Sequence, residues 1–181
     1  MDKHLQLPLD TETIRALRVG ERVFLTGALY TARDDAHQRM DHMLDRGETL
    51  PVDLTKNALY YAGPAPAAPG RVIGAVGPTT AGRMDPYTPR LIREGLRVMI
   101  GKGLRSDAVL NAIRDHGCVY FAATGGTGAL LARCVKKAEV IAFDDLGPEA
   151  IHRLEVVDFP VTVAIDSRGE CIYSSSLDKE K

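Results

Sequence analysis

Residues 96–124, "LRVMIGKGLRSDAVLNAIRDHGCVYFAAT", decide the fold class. Two short apolar runs, "LRVMIG" and "CVYFAAT", bracket "SDAVLNAIRDHG", a helix-forming stretch with Ser106 placed to cap its start and Gly117 to stop it. A strand, a helix with both ends marked and a second strand make a βαβ unit, whose strands lie parallel with the helix packed on the sheet. The same rhythm continues on either side. Upstream, "RVIGAV" (71–76) predicts a strand and "PYTPRLIREG" (86–95) a short helix; downstream, "GALLARCVKK" (128–137) predicts a helix and "AEVIAF" (138–143) a strand.

The flanks differ from this alternating centre. "HLQLPL" (4–9) and "RVFLTGALYTA" (22–32) predict paired strands, and "NALYYAG" (57–63) a further one. Between them, "RDDAHQRMDHMLDRG" (33–47) sets Ala36, Met40, Met43 and Leu44 on one helical face, with acidic residues in the first turn and Gly47 at the end. "GPAPAAPG" (63–70) has the proline and glycine density of a loop and is short for an interdomain linker. "LEVVDFPVTVAIDSRGECIY" (154–173) predicts two strands joined by a turn at Asp166–Gly169, and "SSSLDKEK" (174–181) a fraying polar tail. At roughly 100 to 200 residues per domain, the expectation is one α/β domain over residues 1–173.

Composition removes several function classes. Lysine and arginine number 23 against 24 acidic residues, so no global field advertises nucleic acid or an anionic membrane, and a positive site must be local. The three cysteines, Cys118, Cys134 and Cys171, are far apart with no CxxC pair; no disulfide framework, zinc knuckle or self-contained iron-sulfur site is expected, and a reducing cytoplasm fits. The N-terminal "MDKHLQLPLD" lacks a signal-peptide core, and no apolar run approaches the roughly 18 residues of a membrane span.

In an open parallel sheet, ligands collect beyond the carboxyl ends of the strands. Arg33 follows "GALYTA", Thr79, Thr80 and Arg83 follow "RVIGAV", Lys102 follows "LRVMIG", and "TGGTG" follows "CVYFAAT". Cations and hydroxyls at successive strand exits suit a small molecule with two anionic groups, since arginine forks bind carboxylate in bidentate fashion. Each residue also has a plainer reading. Arg33 has Asp34 and Asp35 beside it, Arg83 can pair with Asp85, Lys102 can be solvated, and Gly125–Gly128 can be a glycine turn instead of an anion nest. His37 fits capping or packing, and His116 fits a helix C-terminus. "GKG" lacks the rest of a phosphate-loop pattern.

Five stretches, in order, then carry a resemblance: "LTGALYTARDDAH" (25–37), "GPTTAGRMD" (77–85), "GKGLRS" (101–106), "ATGGTGALLA" (123–132) and "LEVVDFP" (154–160). Together they resemble the β subunit, or fused C-terminal domain, of the class I iron-sulfur fumarate hydratases and the related L-tartrate dehydratases, over nearly the whole chain. The spacing from Arg83 to Lys102 is one residue shorter than the commoner family pattern. The resemblance implies a swivelling β/β/α three-layer domain with a parallel central sheet and a second antiparallel sheet. It implies that Arg33, Arg83 and Lys102 contact substrate carboxylates, that Thr79 is the catalytic base, and that Thr80, Asp34, His37 and Asp85 support them. It further implies a [4Fe-4S] cluster held by a partner α subunit and not by this chain, in an αβ or α2β2 assembly. The implied activity is reversible hydration of fumarate to (S)-malate. The alternatives are another 2-hydroxy-dicarboxylate hydro-lyase, L-tartrate dehydratase among them, and a non-catalytic carboxylate-binding or scaffolding module.

Overall fold

The computed structural model describes residues 2–123 and 128–173. The polar tail (174–181) and most of the predicted Gly125–Gly128 nest lie outside those residues. The chain is mixed α/β, built on one seven-stranded sheet. Strands β1 (Lys3–Gln6), β2 (Arg22–Thr31), β3 (Ala58–Tyr60), β4 (Val98–Gly101) and β5 (Val119–Ala123) run parallel in that spatial order. β7 (Ile151–Ile165) is antiparallel to both β5 and β2, and β6 (Val135–Ala142) is antiparallel to β7. The contact of β7 with β2 closes the sheet into a barrel-like ring, β2-β3-β4-β5-β7. The antiparallel strands thus belong to the same sheet as the parallel ones, where the resemblance implied a second sheet of their own.

Side-chain alternation follows from the strand period of two. Ala58, Tyr60, Val98, Ile100, Val119 and Phe121 join one buried cluster with Leu154, Phe159 and Val163 of β7. Their neighbours Leu59, Tyr61, Met99 and Tyr120 point the other way, into a cluster with residues of three helices: α2 (Asp34–Asp45), α3 (Thr88–Arg93) and α4 (Asp107–His116). A closed sheet with helices against its outer face therefore has one apolar core within and one beneath the helices.

Local chemistry sets the helix ends. In α1 (Thr11–Ala16) the Asp10 carboxylate accepts from the Thr13 amide at 2.7 Å, and in α4 the Ser106 hydroxyl accepts from the Val109 amide. Gly117 ends α4 at φ 70°, a left-handed conformation that glycine adopts without a Cβ clash. The turn predicted at Asp166–Gly169 is held by the buried Asp166 carboxylate, which accepts from the Arg168 and Glu170 amides at 3.0 and 3.2 Å.

Three predicted elements differ, and the first is the strand expected after the Asp166–Gly169 turn, which among the described residues is a single bridge from Cys171 to Ile165. "RVIGAV" forms no strand of the sheet. Its main chain bonds the proline-rich loop: the Ala65 amide donates to the Ala75 carbonyl and the Gly74 amide to the Ala65 carbonyl, at 2.9 and 3.2 Å. Prolines 64, 66 and 69 lack the N–H groups that would extend this into a ladder. The helix predicted over 128–137 stops early: α5 spans Gly128–Ala132, and "CVKK" falls largely in β6, which pairs with β7 from Val135. Tertiary pairing overrides a helical pattern of fewer than three turns.

Candidate functional site

The chemistry gathers where β3 and β4 part. The Tyr61 amide still donates to the Ile100 carbonyl at 2.8 Å, but the Tyr61 carbonyl accepts from the Thr79 amide at 2.7 Å. The Lys102 amide then donates to the Thr79 carbonyl at 3.3 Å, and the Ala81 amide to the Lys102 carbonyl at 2.8 Å. Residues 79–81 are thus wedged between the diverging strand ends, with Thr80 bridged in parallel to Lys102. The wedge sets Thr79 and Thr80 beside Lys102 through main-chain bonds, and not through the exit of a "RVIGAV" strand, which does not form.

Arg33 leaves β2 and opens α2 without a side-chain cap. Its stem passes over Gly63: a Cβ there would lie 2.9 Å from Arg33 Cδ and 3.1 Å from the Pro148 carbonyl oxygen. Arg33 Nη2 lies 3.8 Å from Asp34 Oδ2, and Nε lies 3.9 Å from Glu149 Oε1. That Nε is buried and makes no hydrogen bond. A buried guanidinium N–H without an acceptor is costly, and a carboxylate is the group such a fork matches best.

Arg83 takes a different partner from the one the sequence suggested. It donates through Nε (3.1 Å) and Nη2 (2.7 Å) to the two oxygens of Asp34, not to Asp85. Asp34 therefore stands between both arginines and relieves their mutual repulsion. Asp85 is occupied by Arg105 Nε at 2.7 Å and by the Ser106 amide at 2.6 Å.

His37 lies fully buried one turn into α2. Its Nδ1 faces the Arg33 carbonyl at 2.8 Å, and its ring meets Tyr61 edge-on at 5.4 Å and Tyr87 at 6.0 Å. Burial pushes its pKa down to about 4, so the imidazole is neutral near pH 7 with Nδ1–H donated to that carbonyl. Nε2 has no partner.

Three contributors carried no sequence signal. Arg105 was one residue of "GKGLRS", with nothing to mark it as buried. Glu149, on the 144–149 turn, accepts from the Asp35 amide at 3.3 Å and so caps α2 from outside; burial raises its pKa. Tyr61 seats Thr79 through its carbonyl and touches His37 through its ring.

The edge is an open face, with Lys102 exposed and the Arg83 side chain 52% exposed. A cleft of about 600 Å³ lies elsewhere, between the 66–75 loop and α5 and β6, and none of these cations lines it. Among the described residues no three His, Cys, Asp or Glu side chains converge as a metal site. Cys118 is buried with its thiol toward the Leu96 carbonyl, and burial pushes its pKa up to about 11, which disfavours the thiolate a metal needs. The cysteines present do not fit an iron-sulfur cluster. No helix among the described residues is long and apolar enough to cross a membrane.

Fold and edge together define an α/β chain in which the main chain sets Thr79 and Thr80 beside Lys102 and Asp34 joins Arg83 to Arg33. Residues 2–176 match the family described as Fumarase C-terminus, and the chain belongs to that family. It is 41% identical to a Methanocaldococcus jannaschii protein named as an L(+)-tartrate dehydratase subunit beta, over 91% of this chain and 88% of that protein. It is 40% identical to fumarate hydratase 2 of Leishmania major, over 96% of this chain and 31% of that protein. Against the anaerobic class I fumarate hydratase of Escherichia coli it is 39% identical, over 90% of this chain and 30% of that protein. The chain thus spans about a third of the fumarate hydratases it matches, and most of the tartrate dehydratase subunit. These relatives support hydro-lyase chemistry.

Proposed function

We propose that this chain is the β subunit of a two-subunit class I fumarate hydratase, active only with its α subunit, that interconverts fumarate and (S)-malate. The observation that supports the reading is the wedge at residues 79–81, whose main chain joins Thr79 and Thr80 to Lys102 between the ends of β3 and β4, with Arg33, whose buried Nε lacks an acceptor, following neighbouring β2.

In the malate-to-fumarate direction, Arg33 and Arg83 hold the substrate carboxylates by charge-assisted bonds and Lys102 adds a point charge. Thr79 Oγ removes the proton from the carbon next to a carboxylate. A free threonine hydroxyl is a weak base, and adjacent cations favour its ionised form. The same cations stabilise the negative charge that develops on the carboxylate as the proton leaves. The [4Fe-4S] cluster, assigned to the α subunit, supplies Lewis acidity for the departing hydroxyl when bound. Asp34 keeps the two arginines side by side, and neutral His37 holds the Arg33 carbonyl.

Separately purified α chain, combined with this chain and reconstituted with iron and sulfide, is expected to hydrate fumarate, and this chain alone is not. Turnover by the isolated chain without iron would overturn the division of labour. The M. jannaschii relative, matched over most of its length, favours one other reading, the β subunit of L-tartrate dehydratase. Steady-state rates on fumarate, malate, mesaconate and tartrate separate the two. A carboxylate-binding module without catalysis would instead lose binding equally in Thr79→Ala and Arg83→Ala, with no defect at saturation.

A further inference from the structure

The segments that carry Thr79 and Lys102 are joined to each other by only two main-chain hydrogen bonds, one of them 3.3 Å long. Beyond those bonds both segments leave the sheet, and one side chain ties them together again. Arg105, with no exposed side-chain surface, donates through Nε to Asp85 (2.7 Å) and through Nη2 to the Thr88 hydroxyl (2.8 Å), both on the far segment. Asp85 returns the tie by accepting from the Ser106 amide. The guanidinium lies between two rings, 5.1 Å from the Tyr61 centroid and 4.8 Å from that of Tyr120. Each ring leads back to the site: the Tyr61 carbonyl seats the Thr79 amide, and the Tyr120 hydroxyl donates to the Gly103 carbonyl at 2.9 Å, next to Lys102.

A buried ion pair is a poor device for stability, because removing two charges from water offsets most of their attraction. Its worth lies in fixed geometry. The planar fork of arginine serves Asp85, Thr88 and Tyr61 at once while stacking between the rings, and a lysine ammonium cannot. We propose that Arg105, clamped between Tyr61 and Tyr120 and paired with Asp85, is a positioning residue that sets where the Thr79 hydroxyl and the Lys102 ammonium stand, without touching substrate. The catalytic part of this inference rests on the function proposed above; the positioning part does not.

The test has two arms. Amide hydrogen exchange on the chain carrying Arg105→Lys is expected to speed exchange at Thr79, Ala81 and Lys102 by about 10-fold or more while β7 amides keep their protection, since local opening is separable from global unfolding. Unchanged exchange at those three amides, or a uniform rise across the sheet, overturns the proposal. Tyr120→Phe removes only the hydroxyl on the Gly103 carbonyl and decides the question if Arg105→Lys does not fold: local acceleration around residues 102–104 supports the clamp, and wild-type exchange there sinks it. In the reconstituted complex, a misplacement near 1 Å lowers kcat by about 100-fold, so Arg105→Lys is expected to lower kcat by about 10- to 100-fold. It should also raise the primary deuterium isotope effect on dehydration of malate labelled at the carbon that loses its proton. A purely structural role would reduce the amount of active enzyme and leave the isotope effect alone. If the wild-type complex dehydrates neither malate nor tartrate, the functional reading fails, and the exchange arm still decides the clamp.

Discussion

The parallel and antiparallel parts of this sheet are built to different standards. β7, fifteen residues long, pairs with β2, β5 and β6, and its Leu154, Phe159, Val161 and Val163 are fully buried. At the carboxyl ends of β2, β3 and β4, by contrast, lie both side-chain atoms that are buried without a hydrogen-bond partner among the described residues, Arg33 Nε and His37 Nε2. Parallel strands deliver all their exits to one side, so polar residues there converge whether or not their bonds can be completed within the chain. Antiparallel strands return their ends to opposite sides and gather nothing. One region holds the molecule together, and the other holds polar groups whose hydrogen bonds the described residues leave incomplete.

If that division is right, damage to the two regions should separate cleanly. The largest effect belongs to the parallel end. Thr79→Ala removes the hydroxyl and leaves the main-chain bonds to Tyr61 and Lys102, so kcat in the reconstituted complex should fall by about 100- to 10,000-fold, the range for loss of a general base. KM for malate and the thermal midpoint should stay near wild type. A fall in the midpoint to match the fall in kcat would mean that Thr79 is structural and that the two regions do not differ as described.

The mirror experiment lies in the antiparallel region. Phe159 is fully buried and meets the Tyr60 ring edge-on at 5.2 Å. Phe159→Ala should lower unfolding free energy by about 3–5 kcal/mol, read by urea titration, while kcat per folded complex is unchanged. A loss of kcat in the folded fraction would show that the core of the ring and the open edge are coupled, and would blur the comparison.

How much of this was legible in the sequence follows the same line. Periodicity and glycine marked where β2 and β4 stop, and with them Arg33 and Lys102; Thr79, Thr80 and Arg83 were reached from "RVIGAV", which is no strand, and the main-chain wedge, not a strand exit, sets Thr79 and Thr80 beside Lys102. Partners were not found. Arg83 was paired on paper with Asp85, two residues away, but the structure gives it Asp34, forty-nine residues earlier, because β2 and the wedge lie on either side of β3. Arg105 and Glu149 were missed because nothing local distinguishes a buried charged residue from a solvated one; that difference exists only once Tyr61 and Tyr120 are brought together. "RVIGAV" misled because its apolar pattern suits a strand, while its main chain bonds a loop whose prolines cannot donate and, through the Val76 amide, the Gly128 carbonyl at the start of α5.

The smallest expected effect sharpens the cost of the parallel end. His37 titrates near 6.5 in an unfolded chain and near 4 here, chiefly because burial penalises the imidazolium, with the Arg105 charge acting in the same direction and Asp34 and the Arg33 carbonyl acting against it. Between those values the unfolded chain binds a proton that the folded chain refuses, so protonation favours unfolding. Stability is therefore full above pH 6.5 and declines as pH falls toward 4. A difference of this size is worth about 3 kcal/mol. His37→Gln, which keeps a polar group in the first turns of α2 but cannot titrate, should remove that part of the slope in urea titrations at pH 7, 6, 5 and 4. An identical slope in the variant would assign the acid sensitivity to other groups and leave His37 as an ordinary core residue. A flattened curve would instead show that the edge which gathers the cations also carries a measurable burden in acid, one that the antiparallel region, with no buried histidine along β7, does not share.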